Sequence, residues 1–333
     1  MTAQNATFSA ASSPAPAAPS SKGSSAGASG PSAGPDLANL KAGGFIKQRQ
    51  KDLFTVRVKT PMGALTAAKL SVIAEAAERF GSGEIHLSVR QTPEIVGVPF
   101  DQFDDLVALL AEHGMAPASC GPRVRAVTGC SGCKINPLGL VDTQAIGLAA
   151  DARFFGTPCH GKFKITFSAC TNDCTRAKCA DLGFVGMVRP ELLSDACTAC
   201  GLCIAACRHD ALDADDEGKP VRDLDLCTGC ADCVRVCPDS AMIAAETGFA
   251  VYAGGKHGRV PRISDHVGTM LSAEDVPAVI ESTLAWYSEN GKRGQRLGHV
   301  IAREGVEPLK AAVLPEQSRV APGAQLQTGG IVA

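Results

Sequence analysis

Fifteen cysteines stand among 333 residues, and eight of them fall in two runs of identical spacing. Cys197, Cys200, Cys203 and Cys207 read C-x2-C-x2-C-x3-C; Cys227, Cys230, Cys233 and Cys237 repeat the run thirty residues later, with Pro238 after the last. Three thiolates spaced two residues apart wrap a loop around three corners of an iron–sulfur cube, and a more distant cysteine closes the fourth. In this run the fourth cysteine ligates the other cluster. The spacing therefore predicts one [4Fe–4S] cluster on Cys197, Cys200, Cys203 and Cys237, and a second on Cys227, Cys230, Cys233 and Cys207. Zinc sites use two separated pairs, which duplicated triplets do not match. Arg208 stands where a proline often follows the fourth cysteine, a change expected to tune that site.

A second constellation lies upstream: Cys130 and Cys133, then Cys170 and Cys174. Two such pairs can hold zinc, form a redox dithiol or carry a third cluster. The surrounding charge adds a constraint. Lys162 and Lys164 alternate on an expected strand running into Cys170, which points both ammonium groups to one face. Arg90 closes another expected strand, and Arg123 and Arg125 precede Cys130. Any one of these alone reads as a solvated surface charge; five around a metal site read as an anion pocket. Cys120, Cys159 and Cys179 are left over and read as small apolar residues.

The elements that must position these groups follow an α+β order. Leu53–Lys59 alternates like a half-buried strand. Leu65–Phe80 reads as an amphipathic helix with Leu65, Leu70, Ile73, Ala74 and Ala77 inward, ended by Gly81. Glu84–Arg90 and Glu94–Val98 read as strands. Asp101–His113 reads as a helix with Asp101 as N-cap and Gly114 beyond its end. After the last cysteine come a short strand, Phe249–Tyr252, a loop marked by Gly254, Gly255 and Gly258 where backbone must come close to something, and a helix over Ala273–Asn290 stopped by Gly291.

Composition narrows the function classes. Thirty-two basic residues balance 34 acidic ones, net −2, so no general basic field is present to hold nucleic acid. No run reaches the ~18 apolar residues of a membrane span. The chain is long, its cysteine count is odd and its start has no apolar signal core, so ligation in a reducing, cytoplasmic compartment is expected in preference to a disulfide scaffold. Twenty-eight of the first 35 residues are Ala, Ser, Gly or Pro, a composition expected to be disordered. No Gly-rich phosphate loop occurs as strand–turn–helix, so a separate protein must donate electrons.

HLSVRQTPEI (86–95), PRVRAVTGC (122–130), GLVDT (139–143), KFKITFSACTNDC (162–174), DLGFVG (181–186) and YAGGKHGRVPRI (252–263) resemble the sirohaem-containing nitrite and sulfite reductase family, most closely the sirohaem-binding catalytic subunits of its anaerobic sulfite-reducing branch and their dissimilatory relatives. With the two-cluster run, a bacterial ferredoxin insert, these segments cover residues ~45–310 in family order. The resemblance implies reductase-like α/β sandwich halves interrupted by the insert. The expected boundaries are a tail over 1–39, a ferredoxin-like N-terminal domain over 40–115, the sirohaem/[4Fe–4S] domain over 116–190 and 246–315, the insert over 191–245 and a loose tail over 316–333.

The resemblance also implies sirohaem coupled to a third [4Fe–4S] cluster. Cys130, Cys133, Cys170 and Cys174 would be the cluster ligands, with Cys174 bridging to the sirohaem iron. Arg90, Arg125, Lys162 and Lys164 would hold the oxyanion, and Arg123, Lys256 and Arg259 would face the macrocycle. The family spaces its first pair C-x5-C, which falls on Asn136 here; Cys133 is expected to replace that ligand. The implied activity is six-electron reduction of sulfite to sulfide. Nitrite reduction at the same centre, or a non-catalytic polyferredoxin-like electron relay, are the competing expectations.

Overall fold

The computed structural model describes residues 36–314, so the expected tails at 1–39 and 316–333 lie almost entirely outside the described residues. Two compact units emerge. Among the described residues, one holds 36–128 together with Gly147–Ile165; the other holds Gly129–Ile146 and 166–314. The fold is α+β.

The first unit opens with α1 (Leu37–Ala42), whose N-cap Asp36 accepts from the Ala38 and Asn39 N–H groups. Then follow β1 (Phe45–Lys47), β2 (Leu53–Arg57), α2 (Ala67–Phe80), β3 (Ile85–Leu87), β4 (Pro93–Pro99) and α3 (Phe103–Glu112). The four strands form one antiparallel sheet in the order β1-β2-β4-β3. Phe54 and Val56 of β2 point inward and their neighbours outward, as the alternation predicts. The Phe103 ring lies 4.2 Å from that of Phe45 and 5.1 Å from that of Phe54, tying α3 to the sheet.

Three expectations for this region are corrected by the structure. The buried stripe of α2 is Val72, Ile73, Ala76, Ala77 and Phe80, whereas Leu70 is half exposed. The stripe is rotated because Ile73 and Phe80, whose burial contributes ~1.5–3 kcal/mol each, face the sheet together. Thr66, which accepts from the Lys69 N–H, caps the helix just after Leu65. Asp101 is not an N-cap: Phe100–Gln102 forms a single 3-10 turn and α3 starts at Phe103. Arg90 does not close a strand, because β3 ends at Leu87 and Arg90 sits in the following turn.

The second unit is built on a five-stranded sheet. In chain order the remaining elements are β5 (Thr128–Gly129), α4 (Thr143–Phe154), β6 (Ile165–Ser168), β7 (Leu182–Leu192), α5 (Leu202–Ala205), β8 (Leu212–Ala214), β9 (Pro220–Arg222), α6 (Asp232–Val236), β10 (Met242–Ala253), β11 (Asp265–Leu271), α7 (Val276–Asn290), α8 (Leu297–Glu304) and α9 (Glu307–Val313). The sheet order is β11-β10-β7-β6-β5, and β8 and β9 form a separate two-stranded ribbon. The chain passes between the units within β5, within α4 and at the start of β6.

β7 and β10 pair along nearly their whole length, with Leu192 opposite Met242. Residues 193–241 thus leave and re-enter the sheet at adjacent points, so an insert there leaves the strand register undisturbed. Phe167 and Phe184 stack at 4.8 Å, and Phe249 meets both edge-on. Asp181, fully buried, accepts from Nε (2.7 Å) and Nη2 of Arg296. Removing one partner of such a pair strands a buried charge, at a cost of about 3–5 kcal/mol. No helix among the described residues is long and apolar enough to cross a membrane.

Candidate functional site

The insert displays its repeat in three dimensions. Left-handed backbone occurs at Ala199 (φ 53°), Gly201 (74°) and Asp210 (50°), and again at Gly229 (70°), Ala231 (67°) and Ser240 (54°), each thirty residues on. These turns curl each triplet inward. Cys197, Cys200, Cys203 and Cys237 line one hollow. Cys207, Cys227, Cys230 and Cys233 line another. Each set of four thus contains the crossed fourth cysteine that the spacing predicts. The Ala211 N–H donates to Cys207 Sγ and the Met242 N–H to Cys237 Sγ, both at 3.3 Å.

Crowding shows in the thiols. Burial pushes Cys233 up to about 11, with Cys227 and Cys230 adding to the rise; burial likewise raises Cys203 and Cys230. Ligation by a metal would offset that cost, because a metal holds its thiolates deprotonated. Among the described residues no three His, Cys, Asp or Glu side chains converge on a point that would hold a single metal ion. The insert's thiols instead line the two hollows in sets of four.

The upstream cysteines all belong to the second unit. Cys130 follows β5; its N–H donates to the Phe167 carbonyl (3.3 Å), and its Sγ accepts from the Ala169 N–H (3.1 Å). Its carbonyl accepts from Gln144 Nε2 (2.7 Å) and Thr143 Oγ1 (3.3 Å). Cys170 comes two residues after β6. Burial raises its thiol, Cys130 and Cys174 raise it further, and Arg235 opposes them. Burial also raises Cys133, with Asp142 and Cys130 contributing. Cys130 is thus an electrostatic neighbour of both Cys133 and Cys170, which in turn senses Cys174.

Asn136 serves its own turn. Its N–H donates to Gly132 O and its Oδ1 accepts from the Leu138 N–H. Cys133 is exposed and its N–H donates to Val141 O (3.3 Å). A Cβ on Gly139 would come 2.6 Å from Cys133 Cα, so the remodelled loop closes tightly over that residue. If Cys133 is the fourth ligand, Cys133→Ser lowers bound iron by about four atoms per chain whereas Asn136→Ala leaves it unchanged. Iron analysis of anaerobically purified variants checks this, and the opposite pattern would return the ligand role to Asn136.

Asp173 is a site residue that sequence reasoning misses. Its Oδ1 accepts from Ser168 Oγ (2.8 Å) and the Ala177 N–H (2.7 Å), and Oδ2 from the Lys178 N–H (3.0 Å). With φ 47° at Asp173 itself, these bonds fix the path between Cys170 and Cys174. The available signal is an aspartate directly before the last cysteine, a residue suited to side-chain-to-backbone turns.

The candidate anion-binding residues belong to the first unit. Lys162 and Lys164 precede β6 instead of lying on it, flanking Phe163, which forms a parallel bridge with Val124. The Arg125 N–H donates to Phe163 O (2.9 Å) and the Phe163 N–H to Arg123 O (3.2 Å). Val124 and Phe163 are both fully buried. Side chains alternate along such paired segments, so Arg123, Arg125, Lys162 and Lys164 share the opposite face. Arg90 Nη2 donates to Ala126 O (2.6 Å), one residue beyond Arg125.

Arg125 is 7 % exposed; Nη1 donates to Ser119 O (2.9 Å), Nη2 to Gly121 O (3.0 Å), and its Nε, like that of Arg123, is buried with no partner. Cys120 is buried, as its isolation in the sequence suggests, but its surroundings are not apolar. Burial alone would raise its thiol, yet Arg125, with Arg57 at 3.4 Å, brings it below its ordinary value.

Lys256 begins the late hairpin, exchanging backbone bonds with Arg262, while Arg259 at its tip is exposed. Gly255 does approach something closely: a Cβ there would fall 2.6 Å from Ala180 O. Lys256 Nζ lies 2.7 Å from His299 Nε2. Lys256 has only donors, so Nε2 accepts in this contact, which ties the hairpin to α8. The cysteine-lined hollows fit iron–sulfur clusters, and the buried, unpartnered Nε donors of Arg123 and Arg125 fit an anionic group.

Residues 120–320 match the family described as nitrite and sulphite reductase 4Fe-4S domain, and residues 46–113 match the nitrite/sulfite reductase ferredoxin-like half domain. An uncharacterised protein of Methanocaldococcus jannaschii is 32% identical over 82% of this chain and 94% of its own length. The coenzyme F420-dependent sulfite reductase of the same organism is 34% identical over 79% of this chain, which spans 42% of it. The assimilatory-type sulfite reductase of Nitratidesulfovibrio vulgaris is 21% identical over 81% of this chain and 97% of its own. The solved dissimilatory sulfite reductase I shares the fold, with a TM-score of 0.67 at 20% identity over 84% of this chain and 73% of that one. By the extent of these matches, the chain belongs to the nitrite and sulphite reductase family, a family of oxidoreductases.

Proposed function

We propose that this protein is a sirohaem-dependent sulfite reductase, resembling the catalytic components of anaerobic sulfite reductases, which takes six electrons singly from a separate donor. The observation that carries the reading is the Val124–Phe163 pairing, with four cations on the face opposite two buried side chains. A pure electron relay has no use for such a face, whereas an oxyanion reductase requires one. The turn role of Asn136 also argues against a vestigial upstream site, since four thiols are present without it.

Sirohaem, when bound, supplies an iron that takes up the substrate and passes it electrons one at a time. This chain's residues do the rest. Cys130, Cys133, Cys170 and Cys174 would hold the third [4Fe–4S] cluster, and Cys174 would also hold the sirohaem. Arg123, Lys256 and Arg259 would bind the carboxylates of the macrocycle. Arg90, Arg125, Lys162 and Lys164 would bind the substrate oxygens and stabilise the charge that develops on them, and Lys162 and Lys164, reprotonated from water, would give up the protons with which oxygen leaves as water. Fixed backbone partners hold Arg90 and Arg125 ready for that task.

Nitrite reduction to ammonia is the second reading, because the matched family covers both anions. Two of the relatives are named as sulfite reductases, which favours sulfite. The intact chain, reduced anaerobically with a viologen dye, should form sulfide with about six dye equivalents oxidised per sulfite. Ammonia from nitrite without sulfide from sulfite selects the second reading, and neither product rejects both.

A further inference from the structure

We propose that the cluster held by Cys207, Cys227, Cys230 and Cys233 is the one that hands electrons to the Cys130/Cys133/Cys170/Cys174 site, and that Arg235 is a positioning residue on the loop of that donor cluster. This rests on the reading above that both sites carry clusters.

Strand β7 carries the argument. A Cβ on Gly186 would lie 2.4 Å from the carbonyl of Ala169, the neighbour of Cys170. Two residues on, the Val188 N–H donates to the Gly229 carbonyl (3.0 Å), beside Cys230. At ~3.4 Å per residue these anchor points lie about 7 Å apart along the strand. Pro190 lines the hollow of the Cys227 triplet, whereas Leu192, at the far end of β7, lines that of the Cys197 triplet. The order along one strand is therefore upstream site, second-triplet cluster, first-triplet cluster.

The two repeats differ where this order requires it. Gly229 has φ 70°, and a Cβ there would come 2.7 Å from Val188 O. Its counterpart thirty residues earlier is Ala199, which adopts φ 53° with a side chain. The loop itself thus tolerates alanine; docking on β7 is what excludes it. Arg235 is likewise particular to the second repeat, its counterpart being Ala205. Arg235 Nη2 donates to the Cys230 carbonyl (2.8 Å) and pairs with Asp232 Oδ1 (2.6 Å), so one cation is held on the cluster loop that docks on β7.

The step is a single electron transfer: the insert cluster is oxidised by one electron, the upstream cluster is reduced by one, and no bond or proton changes hands. A low-potential one-electron donor re-reduces the insert. A positive charge beside the donor cluster favours its reduced form, so loss of Arg235 should make that cluster harder to reduce.

The test uses the intact chain in Arg235→Ala and Arg235→Lys forms, Gly229→Ala serving as a second disruption of the same docking. Redox titration followed by electron paramagnetic resonance should show one insert cluster moved to lower potential in Arg235→Ala. It should be the signal that survives Cys197→Ser and is lost in Cys227→Ser. Lysine should restore most of the shift. Rapid reoxidation of the dithionite-reduced protein by sulfite should slow about tenfold in Gly229→Ala, which disturbs the docking on β7, with bound iron unchanged. An unchanged potential and rate, or a shift confined to the signal lost in Cys197→Ser, overturns the proposal. A wild-type chain with three clusters and no macrocycle band instead overturns the enzymatic reading; the titration still decides where Arg235 acts.

Discussion

Lys164→Met is expected to leave the pigment in place while kcat for sulfite falls about 10²–10³-fold, the loss typical when one preorganised charge at a reacting centre is removed. Methionine preserves the length of the side chain and removes its charge and its protons. The buried Phe163 and the Arg125–Phe163 backbone bond hold the segment whichever residue stands at 164. Lys164 is half-buried and Lys162 exposed, so Lys162→Met should cost less, because water screens the charge it removes. Steady-state rates with a viologen donor, alongside pigment absorbance per chain, separate catalysis from cofactor loss. Unchanged turnover in Lys164→Met would remove that residue from the mechanism.

Cys174→Ser should have the other large effect: loss of the sirohaem band, turnover at background, and a fall in bound iron from about 13 to about 8 atoms per chain, the insert's share. A serine hydroxyl stays protonated near neutral pH and cannot replace a thiolate shared between a cluster and a second iron. Asp173 holds the loop through Ser168, Ala177 and Lys178, so the fold should survive and its near-native circular dichroism can be checked. Normal pigment and turnover in this variant would break the bridging assignment.

The grouping of the insert's eight cysteines is legible in the sequence because their spacing is a local property. A C-x2-C-x2-C-x3-C run states which three thiols share a loop, and its duplication states where the fourth comes from; the two cysteine-lined hollows have that composition. The five cations can be named from sequence but not placed. The common face of four of them, Arg123, Arg125, Lys162 and Lys164, depends on Val124 pairing with Phe163, a parallel bridge across 39 positions that no local pattern encodes. Cys120 reads as a small apolar residue for the same reason: Arg57 reaches it from far along the chain.

Helix α4 has no counterpart among the sequence expectations. Its buried positions include Thr143, Ala150, Asp151 and Phe154, a helical stripe composed largely of residues that hydropathy does not register. Asp151 can sit there because it pairs with Lys59 at 2.7 Å and accepts from the Val127 N–H. In α2 the helix is legible and its inward face is not, since two adjacent apolar registers compete and only the sheet decides between them. The α+β class survives these errors because it rests on element order alone.

The absorption spectrum and iron content of the intact chain, purified without oxygen, bear most directly on the sirohaem and cluster assignments together. A macrocycle band in the red together with about 13 iron atoms per chain is the result predicted for three cubanes and one sirohaem. About eight iron atoms with cluster absorption alone would mean that the upstream thiols hold nothing, leaving a relay without a reductase.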